Sequence, residues 1–180
     1  STGCNIKVSV LDQEIKRLEP RTNQDVNTYW MCDRGRLNYH YVKAENRIRQ
    51  NRGKLADLAL ALKAAPSLGL VISTYATCEE LYLLKQLQQA LNIQEVGFLT
   101  SVEGEDVRLK NFVIHADQTP NTQGANMIFG ESVVKNGLKS LSSAVHQKKV
   151  KGLLVFNGIP NFTYPEELLK AVNVAEFLAV

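Results

Sequence analysis

The chain has 180 residues, and its 44% hydrophobic and 22% charged residues are the ordinary balance of a globular protein. Its formal net charge of +3 is too small to indicate a polyanionic partner, and no apolar run approaches the roughly 20 residues of a membrane-spanning helix. Three cysteines, a low and odd number, argue against a disulfide framework. The composition therefore indicates a reducing compartment, with thiols that are unbridged or bound to metal.

The first segment of the chain predicts a short β-hairpin. Apolar and polar residues alternate over 6–10, which predicts the first strand. Residues 11–13 can form a turn, and 14–18 then form the returning strand. Pro20 then ends the pairing, because it has no N–H to donate to a ladder. Cys4 lies just before the hairpin, and 27 residues separate it from Cys32. A hairpin that ends close to a distant cysteine can bring two thiolates to one metal centre.

The segment 34–54 is strongly basic and has Glu45 as its one acidic residue. Tyr39 and Tyr41 stand among the basic residues, as on surfaces that bind nucleic acids. The low net charge of the whole chain instead favours a linker whose charges are solvated or paired with a partner. The basic residues are Arg34, Arg36, Lys43, Arg47, Arg49, Arg52 and Lys54.

Beyond residue 53 the sequence predicts an α/β fold, in which helices alternate with short apolar strands. Thr77 and Glu80 have the spacing of a capping box, which marks the start of one helix. The predicted strands are 68–73, 95–100, 150–156 and 174–180. The predicted helices are 54–63, 78–91, 132–147 and 165–172. Residues 101–131 are predicted to be a long irregular segment with one possible strand at 112–114.

These elements predict a doubly wound, mainly parallel four-stranded sheet with helices on both faces and strand order 2-1-3-4. The change of direction between the first and third strands places residues 74–77 and 157–160 at the crevice where such sheets bind ligands. The turn after the first strand contains no glycine, which argues against a Rossmann-type dinucleotide site.

The remaining candidates for chemistry give no catalytic site. His40, His115 and His146 are widely separated and show no metal-ligand pattern. Cys78 stands in the first turn of a predicted helix, where a small buried structural residue is favoured over a reactive thiol. No serine has the context of a nucleophile elbow. We therefore predict no catalytic residue.

Several segments of the chain resemble one family. Residues 1–6 read like the end of a Cys-x2-Cys-x3-Cys motif, and Cys32 stands where that family places its fourth cysteine. The surrounding sequence is similar to the iron–sulfur domain at the front of molybdopterin oxidoreductases, and above all to the large iron–sulfur subunit of respiratory complex I. The segments that carry the likeness are 1–6, 20–27, 30–36, 75–84 and 116–125.

The resemblance implies an electron-transfer subunit of NADH–quinone oxidoreductase, in which Cys4 and Cys32 are thiolate ligands of a [4Fe–4S] cluster. Such a cluster needs four thiolates. The resemblance therefore predicts a fragment whose other two ligands precede Ser1, the nearer one immediately, and which binds no cluster by itself. Arg34 and Gly35 match a Cys-x-[Lys/Arg]-Gly pattern of the family and are expected beside the cluster.

The resemblance further implies two parts, a truncated 4Fe–4S subdomain with its basic linker over 1–52 and an α/β scaffold lobe over 53–180, without molybdopterin. The expected partners are other subunits of a respiratory complex, with no nucleic acid and no direct insertion into a membrane. The expected location is the cytoplasmic, peripheral arm of a membrane-bound complex, and the isolated fragment is expected to be inactive. Two alternatives stay open: a lobe of a molybdopterin-dependent oxidoreductase such as formate dehydrogenase, and a pure subunit-docking module.

Overall fold

The computed structural model describes residues 3–45, 55–65, 67–101, 104–110, 113–157 and 163–180. The chain divides into two compact units, one of residues 1–50 and 101–120 and the other of residues 51–100 and 121–180. Residues 101–120, which the sequence analysis assigned to the scaffold lobe, therefore cluster with the first unit. The predicted linker residues 46–54 and the crevice residues 158–160 lie outside the described residues.

The first unit begins with the predicted hairpin. Strands β1 (Ile6–Leu11) and β2 (Glu14–Pro20) pair antiparallel, so that Pro20 is the last paired residue, as predicted. The two residues between the strands, Asp12 and Gln13, have positive φ angles of 51° and 60°. Two successive residues of this kind make the type I′ turn, whose twist matches that of the flanking strands. The hairpin prediction is therefore confirmed.

Short elements complete the described part of the first unit. Helix α1 (Asp33–Leu37) contacts β2, and a 3-10 turn covers His40–Lys43. The side chains of Lys16 and Lys43 both bind the Glu14 carboxylate, which ties this turn to the hairpin. Strands β5 (Val107–Arg108) and β6 (Val113–Ile114) form a second antiparallel pair, and β6 confirms the strand predicted at 112–114.

The second unit is the predicted α/β layer structure. Its strands are β3 (Leu68–Ser73), β4 (Glu95–Leu99), β7 (Gly152–Phe156) and β8 (Phe177–Ala179). They pair in the order β4-β3-β7-β8 and all run parallel, which confirms the predicted order 2-1-3-4. The helices are α2 (Leu55–Ala64), α3 (Cys78–Ala90), α4 (Thr122–Phe129), α5 (Glu131–His146) and α6 (Glu166–Val174). Within the described ranges, no helix combines the length and the apolar character needed to cross a bilayer.

Helix α4 corrects the prediction that 101–131 is irregular. Its sequence contains Gly124, a poor helix former, and its N-cap side chain makes no capping hydrogen bond. Ala125 and Phe129, four residues apart on one face, are nevertheless buried. Tertiary packing therefore outweighs weak local propensity here, which is why the sequence did not reveal this helix.

Apolar clusters cover the central strand on both of its faces. All six residues of β3 are buried, and successive side chains of a strand point to opposite faces. Leu70 and Ile72 join a cluster with residues of α3 and α4, whereas Val71 joins a second cluster with residues of α5 and α6. The sheet is therefore held by apolar burial above and below.

Helix α5 passes unusually close to β4. A Cβ atom added at Gly137 would lie 2.2 Å from the Val96 carbonyl oxygen, closer than real Cβ atoms come. A Cβ added at Gly97 would lie 2.8 Å from the Cα of Leu138. Both glycines are therefore required by the contact between helix and strand rather than by backbone conformation.

This contact lies at the open edge of β4. The Leu99 carbonyl accepts the Thr74 N–H on the β3 side of the strand, and because carbonyls alternate along a strand, the Val96 carbonyl faces the other way. Val134, before the crossing point, belongs to one apolar cluster, and Leu141, after it, belongs to the other. Helix α5 therefore runs past the edge of the sheet from one face to the other.

Candidate metal centre

The Asn27 side chain joins the two segments that carry Cys4 and Cys32. Asn27 is 8% exposed, and its Oδ1 accepts the N–H of Asn5 at 3.2 Å. Its Nδ2 donates to the carbonyl of Trp30 at 2.9 Å. Asn5 directly follows Cys4, and Trp30 stands two residues before Cys32. The two cysteine segments therefore lie side by side at the base of the hairpin.

Further hydrogen bonds fasten the same corner. The N–H of Arg21 donates to the Asn5 carbonyl at 3.0 Å, and the N–H of Trp30 donates to the Asn27 carbonyl at 2.7 Å. The Asn27 Nδ2 also lies 3.3 Å from the Arg21 carbonyl and 3.5 Å from the Asn5 carbonyl. The amide nitrogen has two hydrogens for three carbonyl oxygens, and the contact of 3.5 Å is the longest and therefore the weakest of the three.

Cys32 stands at the start of α1, with its sulfur next to a backbone donor. Its carbonyl accepts the N–H of Arg36 at 3.0 Å, and its Sγ accepts the N–H of Gly35 at 3.3 Å. Hydrogen bonds to an ionised acceptor are stronger than neutral ones, so this donor suits a sulfur that carries negative charge. Gly35 thus lies against Cys32, whereas the Arg34 side chain is outside the described part of the structure.

Cys4 is half-buried and follows a glycine in a left-handed conformation. Gly3 has a φ of +72°, and a Cβ added there would lie 3.1 Å from the Pro120 carbonyl oxygen. This position therefore favours glycine for both conformation and space. Neither Cys4 nor Cys32 takes part in a disulfide.

The two sulfurs fit half of the ligand set of a cubane iron–sulfur cluster. Cysteine thiolates are the ligands that such clusters use, and four are needed. Among the residues that the structure describes, no three His, Cys, Asp or Glu side chains are grouped so that they could hold a metal ion. Cys4 and Cys32 therefore suit such a cluster in ligand type.

The other predicted candidates make their contacts with residues outside this corner. Cys78, expected to be buried, is exposed, although its Sγ lies 3.6 Å from the side-chain amide of Asn121. His115 Nδ1 is 3.1 Å from the Asp106 carboxylate. The N–H of Ala116 and, second, the His115 side chain lower the pKa of Asp106. His146 contacts a backbone carbonyl of its own helix, so both of these histidines have local partners.

Sequence reasoning did not single out Asn27, although residues 20–27 carried part of the resemblance. An asparagine among turn-forming residues indicates a turn, because its side chain commonly bonds the nearby backbone. Here the side chain reaches Asn5, 22 positions away. Spacing gives no signal for such a contact, so it becomes visible only in the fold.

Comparison with known sequences finds a family that is similar to this part of the chain. Residues 1–40 match the family described as the NADH-ubiquinone oxidoreductase NDSU1/NuoG-like, 4Fe-4S domain. The match contains both cysteines, Asn27 and Gly35. The class that the hairpin segment resembles is therefore that of an iron–sulfur domain.

The likeness extends to particular proteins, each named as the G subunit of an NADH-quinone oxidoreductase. The sequence is 30% identical to that of Shewanella oneidensis over 174 residues, 82% of this chain and 19% of the relative. It is 30% identical to that of Escherichia coli K12 over 178 residues, 84% of this chain and 18% of the relative. A shorter stretch of 66 residues, 36% of this chain and 7% of the relative, is 47% identical to that of Pseudomonas putida. No solved structure matches the chain at a significant level.

The recognition made from the sequence is confirmed by these matches. They cover both the iron–sulfur segment and most of the α/β unit. The chain spans no more than about a fifth of the length of these curated relatives.

Proposed function

We propose that the chain is part of an electron-transfer subunit of an NADH–quinone oxidoreductase, with Cys4 and Cys32 as two of the four thiolate ligands of a [4Fe–4S] cluster. The observation that carries this proposal is the Asn27 bridge, which joins the segments of these two cysteines inside the region that matches an iron–sulfur domain. The chemistry that such a cluster supplies when bound is one-electron transfer. The protein's own residues bind and orient, and none is assigned a role as acid, base or nucleophile.

The surroundings of the two cysteines receive supporting roles in this proposal. The N–H of Gly35 would bond the Cys32 sulfur as a thiolate ligand, as it bonds that sulfur in the structure. Arg34 would neutralise part of the charge beside the cluster. We further propose domains at 1–52 and 53–180, with residues 101–120 of the second clustering with the first unit. The second domain is proposed to be a doubly wound scaffold, which the apolar clusters on both faces of β3 support.

The setting of the whole protein follows by analogy with the relatives. Their names describe subunits of NADH-quinone oxidoreductase, so we propose other subunits of that complex as partners and its peripheral, cytoplasmic arm as the location. We propose no nucleic-acid partner, no direct membrane insertion and no molybdopterin, and we expect the isolated chain to have neither a complete cluster nor turnover.

The cluster assignment is tested on the protein as its gene encodes it, purified anaerobically and reconstituted with iron and sulfide. We expect a paramagnetic signal upon reduction in the wild type, and its loss or strong alteration in both Cys4→Ser and Cys32→Ser. Cys78→Ser is the matched control, because Cys78 lies in the second unit, and it should keep the signal. An unchanged signal in both ligand variants would contradict the assignment.

Two measurements on the same preparation decide against the alternatives. Molybdenum or tungsten together with pterin would indicate a lobe of a molybdopterin-dependent oxidoreductase such as formate dehydrogenase, whereas iron alone supports electron transfer. Absence of any paramagnetic cluster signal after reconstitution would indicate a pure subunit-docking module.

A further inference from the structure

We propose that Asn27 is a positioning residue, which holds Cys4 and Cys32 side by side before any metal is bound. This inference rests on the proposed function, since it takes these two cysteines to be the ligand pair. It goes beyond that function by assigning the pairing to the protein rather than to the metal.

The burial of Asn27 supports this role. Asn27 and Thr119 are the buried polar side chains among the described residues of the first unit. Thr119 bonds Asp117, two positions away, whereas Asn27 bonds Asn5, 22 positions away. Burying an amide costs free energy unless its hydrogen bonds are made. The amide of Asn27 meets this requirement by joining two distant segments.

The strand ladder by itself does not bring the cysteines together. Pairing between β1 and β2 ends at Ile6 and Pro20, so Cys4 lies beyond the last pair, and Cys32 lies outside both strands. The Asn27 side chain bonds the segments of both cysteines directly: its Oδ1 accepts next to Cys4, and its Nδ2 donates two residues before Cys32. One amide group thus fixes both segments.

The acceptor and donor roles can be separated by substitution. Asn27→Ala removes both bonds and leaves the N–H of Asn5 and the carbonyl of Trp30 without this partner. Asn27→Asp keeps the size and the acceptor but has no hydrogen to donate to the Trp30 carbonyl, and it places a negative charge between the two cysteine segments. Asn23→Ala is the matched control, because the Asn23 side chain accepts the nearby N–H of Asp25 in the same loop.

The experiment measures the pairing of the thiols without a cluster. The probe is phenylarsine oxide added to the full 180-residue chain in a Cys78→Ser background, so that Cys4 and Cys32 are the available thiols. One trivalent arsenic forms two As–S bonds, each thiol gives up its proton and the arsenic-bound oxygen leaves as water, with no change in oxidation state. Alkylation by iodoacetamide, which forms one S–C bond with loss of iodide, reports on each thiol separately.

We expect the wild-type background to bind one arsenical per chain through both thiols. Asn27→Ala and Asn27→Asp should lower this affinity by about tenfold, as expected when a buried hydrogen bond is lost, and Asn23→Ala should leave it unchanged. The rates of alkylation should not rise in any variant. A general structural defect would instead raise the rate at the half-buried Cys4 by exposing its thiol. If circular dichroism shows that Asn27→Ala is unfolded, Asn27→Asp alone decides.

The possible results separate this inference from the proposed function. Unchanged arsenical affinity in Asn27→Asp would overturn the positioning role and leave the cluster assignment intact. If the wild type fails to bind the arsenical through two thiols, preorganisation is wrong even where a cluster can be reconstituted. Loss of affinity together with faster alkylation would show that Asn27 stabilises the unit in general, and would also overturn the proposal.

Discussion

The two units of the chain are stabilised in different ways. In the second unit every residue of β3 is buried, and apolar clusters cover the strand on both faces. In the first unit every residue of β1 is exposed, and Val10 reaches 60%. Among the described residues of the first unit, Leu18 and Met31 are the buried apolar side chains, and the buried Asn27 amide adds its hydrogen bonds. The comparison teaches that the α/β unit depends on close packing, whereas the hairpin unit depends on a few directed hydrogen bonds and ion pairs.

The largest effect should come from Gly137→Ala. Helix propensity alone favours alanine over glycine by about 1 kcal/mol, but the added Cβ would lie 2.2 Å from the Val96 carbonyl oxygen. The backbone of β4 cannot move away without disturbing the sheet, so we expect the free energy of unfolding to fall by about 3 kcal/mol. Denaturation by urea, followed by circular dichroism, measures this change.

The control for this prediction is the neighbouring exposed residue of the same helix, Asn136→Ala. It should be neutral or stabilise the chain slightly, since alanine is the better helix former. If Gly137→Ala is as stable as its control, packing in the α/β unit is looser than the structure indicates, and the contrast between the two units is weakened.

A smaller effect should follow from Thr77→Ala at the start of α3. The Thr77 hydroxyl accepts the N–H of Glu80 at 3.2 Å, and the Glu80 carboxylate accepts the N–H of Thr77 at 2.8 Å. Losing the first of these bonds should lower the free energy of unfolding by about 1 kcal/mol. Thr77→Ser keeps the hydroxyl and should recover most of the loss in the same denaturation experiment. Equal stability of both variants would show that packing alone determines where this helix starts.

The smallest effect should be a dependence on acid in the hairpin unit. Hydrogen bonds from Lys16 and Lys43, aided by their charges, lower the pKa of Glu14 from 4.5 to about 2. The stabilising contribution of a carboxylate with a lowered pKa is present above its unfolded pKa and is lost as the pH falls through the folded one. It should therefore be complete above about pH 4.5 and disappear towards pH 2.

A titration of the Glu14 carboxyl carbon by NMR checks this assignment. Lys16→Met and Lys43→Met should each raise its midpoint, with the larger shift in Lys16→Met, since Lys16 is the leading cause. A midpoint that moves in neither variant would show that the two ion pairs are absent in solution. The ion pair between hairpin and 3-10 turn would then be removed from the comparison.

The sequence predicted the architecture better than the contacts that make it specific. Apolar periodicity and the capping box at Thr77 located the strands and a helix start, because these signals lie in the local sequence. The rules for parallel sheets then led to the correct strand order. Helix α4 was missed since its glycine obscures a helix that is held by tertiary packing. The close approach at Gly137 and the reach of Asn27 to Asn5 depend on atoms brought together by the fold. No local pattern reports them. Cys4, Cys32 and Gly35 were predicted through family resemblance, because spacing alone does not distinguish ligands from ordinary thiols.

The crossing of α5 at Gly137 has a consequence for how the sheet can associate. An unprotected edge strand invites pairing with other polypeptides, and proteins avoid this by covering or shortening such strands. The backbone of α5 obstructs β4 at Val96, leaving β8, a strand of three residues, as the opposite border of the described sheet. Addition of a further strand is therefore hindered at β4, and β8 offers a ladder of only three residues at the other border.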